Sequence, residues 1–279
     1  LRWKTALLRG MRAFLSPGLR GRGAAALIGG LAFLAGPRRD VALQNLALAF
    51  PDRDLSWRKD QMRRIYHHLA LGLVECQVIQ KDPTQVLGWI EAVSGLDHLD
   101  RALDQGRGVV MLTGHVGNWE LLGAWLCQKG YPMHAVVQRN EDPETEAFIE
   151  ESRRRIGLKT LSKSFGLRGV VKALRQGAVV GLLADQHGGE LTVDFMGHPT
   201  RTFTGPAVFS LLTGAPIVPV VSFRRAPFRH EVVALPPLAL PQGDRDTQIE
   251  ALTVEANGLL ESLIRRHPEQ WLWFHRRWR

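Results

Sequence analysis

Val109-Val110-Met111-Leu112-Thr113, followed by Gly114-His115-Val116-Gly117-Asn118-Trp119-Glu120, is the stretch on which the reading of this chain turns. A five-residue apolar run rich in β-branched residues reads as a buried strand. Gly114 and Gly117 then bracket a turn, and apolar positions from Asn118 to Lys129 recur at helical spacing. Outward from this strand-turn-helix unit the pattern repeats. Strands are expected at Met133 to Arg139, Val179 to Ala184, Ile217 to Phe223 and Glu231 to Ala234. Helices are expected at Glu144 to Ile156, Leu167 to Gln176, Pro206 to Leu212 and Asp246 to Arg266. Such alternation predicts an α/β fold with a mostly parallel central sheet flanked by helices. In a sheet of this kind ligands bind where loops leave the carboxyl ends of the strands.

Nearer the amino terminus, Met62, Ile65, Tyr66, Leu69 and Leu73 recur three to four apart, which predicts an amphipathic helix from about Ser56 to Gln80. On it, His68 and Glu75 share a face and read as a surface hydrogen bond; His134, His198, His230 and His267 are read the same way. Before that helix, the run VALQNLALAF stops at Pro51-Asp52. Ala24 to Gly36 (AAALIGGLAFLAG) falls short of the ~20 apolar residues of a spanning helix. It sits between Arg20/Arg22 and Arg38/Arg39, the profile of a segment that lies on a bilayer or dips into it. Residues 1–40 are therefore expected to form an amphipathic, helical, membrane-associating extension, and residues 41–279 a single α/β domain. The chain opens on Leu1 rather than Met, which leaves room for an upstream segment.

With 279 residues, 45% of them hydrophobic, the chain can bury a core and is not a disordered one. Its net charge of +9 asks for an anionic partner, and the distribution of that charge narrows the choice. Residues 1–40 hold +7 and residues 265–279 hold +4, so the body between them is slightly acidic. Nucleic-acid binding therefore rests on two basic ends alone and is not expected. Cys76 and Cys127 have no partner spacing for zinc or a disulfide framework. Neither a G-x-S-x-G elbow nor a P-loop occurs, and Gly21-Arg22-Gly23 follows no strand.

The chemistry gathers at the strand ends. His115 and Glu120 are five apart, about 140° round an ideal helix, so they do not share a helical face. They meet if His115 lies in the turn and Glu120, in the first helical turn, folds back to it. A carboxylate on one imidazole nitrogen leaves the other free as a base. A capping turn with a satisfied histidine accounts for H-x4-E equally well when it stands alone. Here the next two strands end in Gln138-Arg139-Asn140 and in Asp185-Gln186-His187-Gly188-Gly189, which brings Arg139, Asp185 and His187 toward the same rim. Trp271, Trp273 and Trp278, mixed with Arg276, Arg277 and Arg279, suit a membrane interface or a segment packed on the body with its arginines solvated.

The blocks GRGVVMLTGHVGNWELLG, VVQRN, GLLADQH, FMGHPTRTFTGPAVFSLLTGAPIVPV and PEQWLWFHRRWR, after VALQNLALAFPDR, resemble the late acyltransferases of lipid A biosynthesis. The resemblance runs in order from about Arg38 to Arg279. It implies a glycerolipid acyltransferase-like fold and a bacterial inner-membrane enzyme at the cytoplasmic face. The implied reaction takes a fatty acyl group from acyl carrier protein to a hydroxyl of an anionic glucosamine-based lipid. It implies His115 as general base, Glu120 as its orienting partner, and required roles for Arg139 and Asp185. Backbone N–H groups near Gly117 and Asn118, or Arg139, are the candidate oxyanion donors. Many relatives carry an acid where His187 stands. No metal, nucleotide or other cofactor is implied, with acyl carrier protein as donor and coenzyme A as its substitute. The His/Glu pair does not encode the acceptor, so a lysophospholipid, a glycolipid or an aminolipid stands beside the lipid A precursor.

Overall fold

The computed structural model describes residues 10, 12, 14–137, 142–162 and 166–278. From Leu19 onward three helices come first: α1 (Leu19–Ala35), α2 (Arg39–Ala49) and the long α3 (Leu55–Lys81). The strands and helices that follow are β1 (Ile90–Ser94), α4 (Leu96–Leu103), β2 (Val109–Thr113), α5 (Trp119–Gln128), β3 (Met133–Val137), α6 (Pro143–Arg155), β4 (Lys159–Ser162), α7 (Gly166–Arg175) and β5 (Val179–Leu183). A hairpin, β6 (His187–Phe195) and β7 (His198–Thr202), leads to α8 (Gly205–Thr213), β8 (Ile217–Ala226), β9 (Arg229–Ala234) and α9 (Arg245–Arg266). Seven strands form one sheet in the order β1-β9-β8-β2-β5-β3-β4. Every neighbouring pair is parallel except β8 and β9.

β2 lies in the middle, paired with β5 on one side and β8 on the other, and all five of its residues are buried. Its continuous apolar run is what a strand covered on both faces requires. Val110 and Leu112 pack with α7, α8 and α9 residues, while Val109 and Met111 pack with α3, α4 and α5 residues. The sheet is thus sandwiched between helices, and the loops after β2 and β5 emerge side by side.

The expected helices and central strands are present. The pattern reading did not include β1, β4 or the β6–β7 hairpin; Gly188-Gly189 and Pro199 gave that hairpin the look of a loop. Asp54 caps α3 by accepting from the Trp57 N–H. From Leu19 to Ala35 the amino-terminal extension is helical and lies along α3. Its inward positions are Gly21, Ala25 and Gly29, all buried. A Cβ on Gly29 would come within 3.0 Å of the His67 Cα, so only a small residue allows this approach. The leucines of α1 face outward instead: Leu19, Leu27, Leu31 and Leu34 are each more than half exposed. Among the described residues no helix is long and apolar enough to cross a membrane.

Candidate active site

The turn between β2 and α5 carries His115, and it is fixed from both sides. Gly117 has φ +61°, and a side chain there would run into the Ser222 carbonyl. The Gly117 N–H donates to the Gln270 carbonyl at 2.8 Å, the Asn118 N–H to the Ser222 carbonyl at 3.2 Å, and the Leu272 N–H to the His115 carbonyl at 3.1 Å. Asn118 caps α5, its Oδ1 accepting from the Leu121 N–H at 3.0 Å. The backbone N–H groups of Gly117 and Asn118 are therefore spent on structure. This removes them as the oxyanion donors expected from the sequence.

The imidazole is held by Asp185, at the end of neighbouring β5. His115 Nδ1 lies 2.8 Å from Asp185 Oδ1, and the His115 backbone N–H donates to Oδ2 at 2.6 Å. Trp271 Nε1 donates to the same Oδ2 at 2.7 Å. A Cβ on Gly114 would sit 3.0 Å from this carboxylate, so the glycine lets Asp185 approach. Asp185 is fully buried. Burial alone would raise its pKa, but the charge and hydrogen bonds of His115 and the Trp271 bond hold it below the usual carboxylate range. For His115 burial works downward, yet the charge and hydrogen bond of Asp185, with a contribution from Glu120, leave the imidazole pKa raised.

The orienting place foreseen for Glu120 is thus taken by Asp185, on Nδ1. Glu120 lies in the first turn of α5 and acts on the imidazole through its charge. It lines a cavity of about 230 Å³ together with His115, Trp119 and Arg153. The rest of the wall is apolar or small, including Met111, Met133, Gly123, Gly181 and Leu158. Trp119 stands edge-on to the imidazole with ring centroids 4.9 Å apart. Arg139 falls outside the described residues. His187 contacts the Arg277 carbonyl through Nδ1 at 3.2 Å and does not line the cavity.

Two features escaped the sequence reading. The first is Gln186, whose Nε2 approaches the free His115 Nε2 at 3.4 Å. The second lies behind the turn. Glu75, fully buried, binds the Arg224 guanidinium at 2.6 and 3.1 Å and accepts from Asn118 Nδ2 at 2.8 Å. It also accepts from the Phe228 N–H and from His230 Nε2, each at 3.1 Å. His68 contacts the Gly117 carbonyl at 3.0 Å through Nε2 and Arg224 through Nδ1. Neither His68, Glu75 nor His230 is on the surface as their spacing suggested. Burial, then the Arg224 charge, holds the His68 imidazole far below its ordinary pKa, so it is neutral. The Arg224 charge and His230 bond outweigh burial and keep Glu75 ionised.

The Trp/Arg segment also resolves. Trp271 and Trp273 are buried, and Trp278 is half-buried with Nε1 donating to the Phe195 carbonyl at 3.1 Å. Arg276 is exposed, but Arg277 is fully buried, contrary to a solvated arginine row.

Set against known proteins, residues 16–279 match the family model described as "Bacterial lipid A biosynthesis acyltransferase". The chain is 30% identical over 249 residues to the lipid A biosynthesis palmitoleoyltransferase of Escherichia coli K12, covering 87% of this chain and 79% of that protein. It is 32% identical over 196 residues to the phosphatidylinositol mannoside acyltransferase of Mycobacterium tuberculosis H37Rv, covering 67% of this chain and 59% of the relative. The crystal structure of the 1-acyl-sn-glycerophosphate acyltransferase PlsC from Thermotoga maritima aligns over 85% of this chain and 97% of its own. Its TM-score is 0.38 at 13% identity, a likeness too loose to place any residue.

Proposed function

The chain belongs to the bacterial lipid A biosynthesis acyltransferases, and from that footing we propose that it moves a fatty acyl group from an acyl carrier protein thioester to a hydroxyl of a lipid A precursor. The observation that carries the chemistry is the His115–Asp185 pair, with the imidazole in the wall of a largely apolar cavity. Asp185 accepts the Nδ1 proton and leaves the Nε2 lone pair as the base. In this reading Nε2, released by Gln186, takes the acceptor's hydroxyl proton as the oxygen attacks the thioester carbonyl. The tetrahedral oxyanion collapses, the carbon–sulfur bond breaks, and the imidazolium returns its proton to the departing thiolate.

The oxyanion then needs donors other than Gly117 and Asn118. The backbone N–H groups of Trp119 and Glu120, in the first turn of α5, have no intrahelical acceptor and sit at the positive end of its dipole. Arg139 is the side-chain candidate. The acyl chain lies between Met111, Met133, Gly123 and Gly181.

The outward leucines of α1 beside exposed Arg20 and Arg22 support docking on an anionic leaflet, each cation adding about 1 kcal/mol of attraction. We place the enzyme at the cytoplasmic face of the inner membrane. The similarity to a phosphatidylinositol mannoside acyltransferase supports a second reading, the same chemistry on a glycolipid hydroxyl. Lipid mass spectrometry of a host expressing the wild type beside His115→Ala tests both. The wild type alone should add one acyl mass, and the lipid that gains it identifies the acceptor. Equal products from the two strains would sink the assignment of the base.

A further inference from the structure

Arg277 is a buried cation whose hydrogen bonds all go to neutral groups. Its guanidinium donates to the carbonyls of Gln186 at 3.1 Å and Arg201 at 2.8 Å. It also donates to Thr202 Oγ1 and Asn257 Oδ1, each at 3.0 Å. The ring of Phe195 lies 4.7 Å away. Among the described residues no carboxylate pairs with it, and its Nε has no hydrogen-bond partner. Burial pulls the guanidinium pKa down to about 10, which still leaves it charged at neutral pH, and the anion that acts against that fall is Asp185.

A buried charge without a paired opposite is costly, and a shape-filling methionine would serve packing as well. The position of this one is what gives it a use. The Gln186 carbonyl it grips belongs to the residue that follows Asp185, and the Gln186 amide touches His115 Nε2. We infer that Arg277 is a positioning residue for the base: it clamps the Asp185-Gln186 strand end and supplies the counter-charge that limits how strongly Asp185 holds a proton on His115. Two other charged residues line the cavity with the imidazole, Glu120 from α5 and Arg153 from α6. From the hairpin side, His187 meets the Arg277 carbonyl and Asp185 completes the set. With Arg277 in place His115 is neutral over more of the physiological range. Without it, Asp185 acts on the imidazole with that counter-charge gone.

This inference rests on His115 being the base, and the experiment separates the two. The pH dependence of kcat/KM is measured for the wild type, Asn257→Asp, Arg277→Met and Arg277→Lys, with a thermal melt for each. Asn257→Asp puts a carboxylate against the guanidinium and neutralises it without removing it. At an effective dielectric of about 20, a unit charge on the order of 10 Å away is worth about one pH unit. Asn257→Asp and Arg277→Met should therefore move the acid limb up by about that much, a tenfold loss of activity on the acid side. Arg277→Lys should leave the limb in place and lower kcat, because one ammonium cannot span the carbonyls that the fork spans. A merely structural arginine would lower activity without moving the limb. Acid limbs of folded Asn257→Asp or Arg277→Met that superimpose on the wild type overturn the proposal, and either variant suffices if the other does not fold. A wild-type profile with no acid limb overturns the reading of His115 itself.

Discussion

Replacing Asp185 with asparagine tests the site most sharply, because the carboxylate accepts three hydrogen bonds and an amide has one oxygen. The donors are His115 Nδ1 at 2.8 Å, the His115 backbone N–H at 2.6 Å and Trp271 Nε1 at 2.7 Å. With its oxygen in the Oδ2 position the amide satisfies the last two and points its NH₂ at Nδ1. The imidazole then carries its proton on Nε2, the atom that must receive the acceptor's proton. The opposite flip sets an NH₂ against two N–H groups, so the wrong tautomer is favoured. In the serine-protease triad the equivalent change costs about 10⁴ in kcat. Here a loss of about 10² to 10⁴ is expected, or about 2.7–5.4 kcal/mol at 1.36 kcal/mol per decade, falling on kcat rather than KM.

The pH profile carries the sign. His115 works unprotonated and its pKa is raised, so wild-type kcat/KM falls as pH drops through a value above about 6.5. Protonated His115 correspondingly stabilises the fold below about pH 6.5, and that contribution is lost as pH rises through the raised value. Asparagine removes both effects, and burial then pulls any remaining limb below 6.5. The assay is acyl transfer from a thioester donor across pH 5 to 9, with a melt to show that the variant folds. A folded Asp185→Asn enzyme that keeps more than a tenth of wild-type kcat, with its acid limb in place, would refute the geometry and return the orienting role to Glu120.

Three further outcomes follow from the same contacts. Glu75→Gln leaves Arg224 buried without its carboxylate and should cost about 3–5 kcal/mol in chemical denaturation, with activity lost in the surviving fraction as Asn118 loosens. Gly117→Ala must hold φ +61° and push a methyl into the Ser222 carbonyl. The strain alone is worth about 1–3 kcal/mol, and the melting temperature and kcat should fall together. Gly123→Leu fills the apolar cavity from α5, and mass spectrometry of the lipid product should show shorter acyl chains at unchanged thermal stability.

Much of this was legible in the sequence, for reasons that also mark where it stopped. β2 and α5 are local patterns, read from runs of five to ten residues, and the strand-end rule followed from their alternation. The partner of His115 was not local. Glu120 is five residues away in the chain, whereas Asp185 is 70 away, and only the pairing of β2 with β5 brings it close. The Glu75–Arg224 network failed for a related reason. Helical periodicity reveals that Glu75 and His68 share a face but not that β8, β9 and the His115 turn cover it. Arg277 was the hardest to foresee, since an arginine among arginines gives no sign of being the buried one.

The stitching of the His115 turn to Gln270–Leu272 has a consequence for how this enzyme acquires activity. The bonds that set the base join Trp271 to Asp185 across 86 residues, and those behind it join Arg224 to His68 across 156. Contacts of such separation carry a large loop-closure entropy, and topologies that depend on them fold slowly. Until the Gln270–Leu272 segment docks, Asp185 lacks the Trp271 bond that fixes its carboxylate against the imidazole. Recovery of acyl transfer after dilution from denaturant should therefore lag the recovery of helix signal, which makes catalysis the most demanding report that the chain has finished folding.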